Sequence, residues 1–183
     1  MFEGEIMNLR KIAFLETLTL DDDSGIMGAI LLTDSETKPL EFRVTAPIKT
    51  TDFQKTLYGD VLLEHILVEL ISLPLINAIN EEVDFILVKD PLFLGINNKQ
   101  GIRVIRVYDA EGQSTNQGKN NDEVNFIKTN EGGLYLETSK KYESELSEIK
   151  EIFKSLAESR NLVEPFDRLK AACQQVHLQK IND

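Results

Sequence analysis

Apolar and polar residues alternate cleanly along Pro39-Leu-Glu-Phe-Arg-Val-Thr-Ala-Pro47: Leu40, Phe42 and Val44 fall on one side, Glu41, Arg43 and Thr45 on the other. That period of two predicts a half-buried strand, which Pro47 ends. Upstream, Ile12, Phe14, Leu18 and Leu20 alternate in the same way, and Asp21-Asp-Asp-Ser-Gly25 supplies a turn. Ile26 to Thr33 is apolar on both sides, as expected of a strand central to a covered sheet, and Gly28 inside it points to a bulge or a close backbone approach. Short links between these three strands predict an antiparallel meander, because a parallel crossover needs more chain.

The period then changes. Thr51 with Gln54 three residues on fits a capping box, and Asp52 suits the positive end of a helix dipole. Phe53, Leu57, Val61, Leu62, Leu63, Ile66, Leu67, Leu70, Ile71 and Leu73 cover more than one stripe, which predicts a helix buried on most sides. Pro74 should kink or restart it. Phe85 to Val88 and Ile102 to Tyr108 read as further strands, and Val124–Lys128 with Leu134–Glu137 as a hairpin turning through Gly132 and Gly133. Residues 109–123, polar and glycine-rich, read as a mobile loop and the first site of proteolysis.

From Ser139 onward, Tyr142, Leu146, Ile149, Ile152, Phe153 and Leu156 recur at helical spacing, as do Phe166, Leu169, Cys173 and Val176 behind Pro165. The expectation is an α+β fold: a mainly antiparallel sheet with a long buried helix on one face and a C-terminal αα-hairpin. Residues 1–138 would form the core domain, with 139–183 appended. Because each stripe of the hairpin is narrow, Leu146, Ile149, Phe153, Leu169, Cys173 and Val176 become candidates for binding a protein partner or a second copy.

Charge sharpens that picture. The chain has 20 basic and 31 acidic residues, a net charge of -11. Residues 139–183 hold eight of each sign, which leaves 12 basic and 23 acidic to the first 138. Such a surface repels phosphate backbones, so nucleic acid is an unlikely partner on these grounds. One cysteine, Cys173, forbids an intramolecular disulfide. The acidic N-terminus does not resemble a signal peptide and no run reaches the length of a membrane span, so a cytoplasmic location without a membrane is expected.

Candidate chemistry is sparse. Asp21 to Gly25 does not continue into a calcium loop, since Ile26 and Leu32 stand where glycine and glutamate are needed. His65 and His177 lack companion ligands at metal spacing, and no phosphate-cradling glycine motif is present. One constellation remains: Asp34 closing the second strand, Glu41-Phe-Arg43 on the third, and Gln54 to Tyr58 on the following helix. It resembles the PD-(D/E)XK nuclease superfamily, in which an acid and a Glu-x-Lys on adjacent strands hold a divalent metal and some branches add Gln-x-x-x-Tyr. That resemblance implies Asp34 and Glu41 as ligands to magnesium or manganese, with Arg43, Gln54 and Tyr58 beside them. Arg43 stands where that family has lysine and cannot release its proton in a protein, which disfavours catalysis. The expectation is therefore a non-catalytic protein-interaction subunit or adaptor of a cytosolic assembly with no cofactor. The alternative is a metal-dependent nuclease, or a descendant that kept the fold.

Overall fold

The computed structural model describes residues 10–21, 23–109, 125–130 and 132–182. The predicted loop at 109–123 lies outside the described residues except for Asp109. One seven-stranded sheet runs through the molecule in the order β3-β2-β1-β4-β5-β7-β6. Strands β1 (Ile12–Thr19), β2 (Ile26–Thr33) and β3 (Pro39–Val44) form the expected antiparallel meander. β4 (Phe85–Val88) and β5 (Arg103–Asp109) then lie parallel to β1, and β6 (Phe126–Thr129) and β7 (Gly132–Glu137) close the other edge antiparallel. The fold is α+β, with antiparallel pairs at both flanks and a parallel centre that the local pattern did not announce.

The crossover from β3 to β4 is the long helical stretch Asp52–Ala78. Thr51 caps it as expected: its hydroxyl accepts from the Gln54 amide, and the Gln54 side chain accepts from the Thr51 amide. The stretch is α-helical over Asp52–Tyr58 (α1) and Leu62–His65 (α2), widens to a π-helix over Ile66–Ser72, and resumes as α3 (Leu73–Ala78). Proline at 74 cannot donate to the preceding turn, and the widening just before it, where Leu73 N–H reaches Val68 O, absorbs the mismatch without a break.

This stretch is buried over only half its length. Ile66, Leu67, Val68, Ile71, Leu75 and Ile76 pack on the sheet, whereas Phe53 (74% exposed), Leu57 (68%) and Val61 (60%) face outward. The expectation of burial on most sides is corrected for the stretch from Asp52 to His65, in which no residue is buried.

On the opposite face lie α4 (Leu146–Ser159) and α5 (Glu164–Asn182), joined by a short link. Leu146, Ile149, Phe153, Leu169 and Cys173 belong to one core with Phe14, Leu31, Leu87, Val107 and Leu136 of the sheet. Phe14 meets Phe166 edge-on at 5.3 Å and Phe85 meets Phe153 at 5.2 Å. The stripes offered to a partner are thus spent on the sheet: a half-apolar sheet face needs cover, and the hairpin provides it. Val176, further along, is partly buried.

Candidate nucleic-acid interface

Ligands of sheets with a parallel centre usually gather where the parallel strands end. Among the described residues of the strands and the turn after β4, Glu16, Asp90 and Asp109 lie near that edge. Glu16 on β1 accepts from the Thr17 amide at 2.9 Å. Asp90, just beyond β4, caps the turn Pro91–Asn98 by accepting from the Leu92 amide at 2.9 Å. Asp109 ends β5 and is exposed. It lines a cavity of about 500 Å³ with Thr129, Asn130, Asn161, Glu164 and Asp167.

Strand alternation sorts the side chains at this edge into two faces. On the face carrying α4 and α5 are Ile105, Val107, Ile127, Leu134 and Leu136, all buried. On the other face Val104 joins the core beneath the long helix, and that core takes no residue of β6 or β7. There the sheet instead carries Arg106, Tyr108, Tyr135 and Phe126. Tyr108 and Tyr135 are cross-strand partners stacked at 5.4 Å with 15° between their planes, and Phe126 lies 5.0 Å from Tyr135. The Arg106 guanidinium sits 4.4 Å from the Tyr108 ring centre, held by Lys89 O at 3.0 Å and Glu137 at 2.7 Å.

The residues singled out by the nuclease resemblance do not form a site of this kind. The Asp34 carboxylate accepts from the amides of Glu36 and Lys38, both at 2.9 Å, and so shapes its turn. Glu41 accepts from the amides of Asn80 (3.0 Å) and Glu81 (2.8 Å) and pairs with Arg43 at 2.7 Å, fastening the exit of the long helix to β3. Gln54 completes the cap of α1. Tyr58 stacks on His65 at 4.6 Å. Among the described residues no three His, Cys, Asp or Glu side chains gather closely enough to hold a metal ion, at these positions or at the strand ends.

No family model and no curated protein matches the sequence. Solved structures do. The endonuclease V of Streptomyces avermitilis superposes with a TM-score of 0.64 over 96% of this chain and 84% of its own, at 11% identity. The catalytic domain of human endonuclease V gives 0.57 over 94% and 83%, at 12% identity. A Ciona intestinalis endonuclease V in complex with a 23mer DNA containing an inosine followed by a ribo-adenosine gives 0.55 over 94% and 86%, at 11% identity. At such identity the likeness is one of fold.

These neighbours overturn two expectations. The reading as a non-catalytic protein-interaction subunit gives way, because the proteins that share nearly the whole fold are nucleases. The reading that nucleic acid is an unlikely partner gives way too, since one of those neighbours holds DNA. Net charge misled here because it sums the whole surface, whereas binding depends on the local face presented to the strand. The aromatic rings of β5, β6 and β7 were missed because each sits singly in its strand. Only the register brings them together, and the alternation of Tyr108, Tyr135 and Phe126 with buried aliphatics was the signal available.

Proposed function

We propose that this chain acts on nucleic acid as a strand-cleaving enzyme, with the reacting phosphodiester brought to the carboxyl ends of β1, β4 and β5. The observation that carries the proposal is the likeness to endonuclease V structures over 94–96% of the chain, including one with DNA bound. Asp109 is the described acid best suited to a reacting strand: it is exposed, ends a central strand and lines a cavity large enough for a nucleotide-sized group. Its role would be to take the proton of a water whose oxygen bonds to phosphorus as the bond from phosphorus to the leaving sugar oxygen breaks, that oxygen taking a proton from solvent.

The test is a strand-break assay on end-labelled single- and double-stranded DNA and RNA, with and without inosine, in magnesium, manganese or a chelator. Wild-type protein should give discrete breaks, and Asp109→Asn should slow them by roughly 10²–10⁴-fold. Intact strands in every combination would overturn the reading.

A further inference from the structure

We infer that the face of β5, β7 and β6 turned away from α4 and α5 is a stacking platform for single-stranded nucleic acid. The inference rests on nucleic acid being the substrate and names the form in which it is taken. Tyr108, Tyr135 and Phe126 form a continuous row across three strands, and each is partly exposed. Gly133 seats the outer ring of the row, Phe126. A Cβ there would fall 2.1 Å from Phe126 Cε2 and 2.2 Å from Cζ, so the ring rests directly on the backbone of the neighbouring strand.

Phe126, seated in this way, has little rotamer freedom left to lose when a base stacks on it. Every base has a π-face, so such a row takes single strands with little regard to sequence, whereas paired bases in a duplex are stacked already. The local charge agrees. Glu137 is the one acid among the described residues of this face, and it is ion-paired with Arg106. Lys128, on the same side of β6 as Phe126, is exposed. In a chain of net charge -11 the described residues of this face thus carry no acid outside an ion pair, and an exposed lysine stands beside the aromatic rings, where a phosphate backbone with unpaired bases can meet both.

Titration of labelled oligo-dT and oligo-U with the full chain, in chelator, tests this by fluorescence anisotropy. Tyrosine emission gives a second readout: the chain has four tyrosines and no tryptophan, and stacking should quench the two on the platform. Tyr108→Leu and Tyr135→Leu should each weaken binding about 5- to 150-fold with melting temperature checked in parallel, and Tyr135→Phe, which keeps the ring, should restore it. A matched blunt duplex should bind more weakly than either strand. Leucine variants that bind like wild type would remove the platform while leaving cleavage at the strand ends standing. Platform-dependent binding without strand breaks would keep the platform and remove the cleavage reading. Wild-type protein that binds no strand would overturn both.

Discussion

A Cβ built on Gly28 would lie 2.0 Å from Cγ2 of Ile71. The helical crossover thus rests against the bare backbone of β2, and the π-helical widening over Ile66–Ser72 is the segment that makes the contact. Gly28→Ala should cost about 1–3 kcal/mol by overpacking, and Ile71→Ala about 2–5 kcal/mol by cavity formation. Together they should cost less than the two separately, because each removes what the other offends. Urea unfolding of the four proteins measures this coupling. Additive losses would mean that the two residues do not constrain each other.

Glu41 is a structural carboxylate. Its bonds to the amides of Asn80 and Glu81 and to Arg43 tie the exit of the crossover to an edge strand. Glu41→Ala should therefore lower stability by about 1–2 kcal/mol, toward the lower end of charge-assisted bonds because water reaches these amides. Any effect of magnesium or manganese on the melting temperature should be the same in wild type and variant. A metal-induced rise that disappears in Glu41→Ala would restore the constellation with Asp34 as a metal site.

What could be read from the sequence was what is written locally. The strands β1 and β3, the doubly apolar β2 and the Thr51–Gln54 cap depend on residues a few positions apart, and each is found, although Ala13 and Leu15 bury the second face of β1 and Leu40 of β3 is exposed. The glycine at 28 signalled a close approach but not its distant partner, Ile71. The parallel pairing of β1 with β4 and of β4 with β5 joins residues some 20 to 70 positions apart, such as Ile12 with Phe85 and Phe85 with Arg103. Both faces of β4 are buried, so its pattern carries no direction. The hairpin stripes had the same ambiguity: Phe153 and Leu169 look alike whether they meet a sheet in the same chain or another protein. Candidate chemistry was harder still, because Glu41 and Arg43 have the right types at the right spacing for a metal site and are used to fasten a loop.

The first turns of the crossover give a contrast within one helix. Phe53 and Leu57 are exposed while Leu67 is almost wholly buried, although all three are large and apolar. Phe53→Ser and Leu57→Ser should stay within about 0.5 kcal/mol of wild type. Leu67→Ala should cost about 2–5 kcal/mol. Thermal melts of the three variants separate an element half on the sheet from one buried throughout. Equal losses at Phe53 and Leu67 would show that the N-terminal turns are covered as well.

Cys173 links burial to pH. It is 2% exposed, packed under the sheet with Leu169 and Phe166, and desolvation raises the pKa of its thiol above the ordinary value near 9. In the unfolded chain the thiol is hydrated and ionises near that ordinary value, whereas the folded chain holds the proton longer. The unfolded state therefore loses its proton first as pH rises. The contribution is fully present below about pH 9 and is lost as pH climbs from there through the raised folded value. Cys173→Ala removes the ionisable group and should flatten this part of the stability curve, measured by urea unfolding between pH 8 and 10, even though it also costs some packing at every pH. The same burial should keep a thiol reagent from reacting until the chain unfolds. Rapid modification of the native protein, or a wild-type alkaline slope that persists unchanged in Cys173→Ala, would show that α5 does not seal this residue against the sheet.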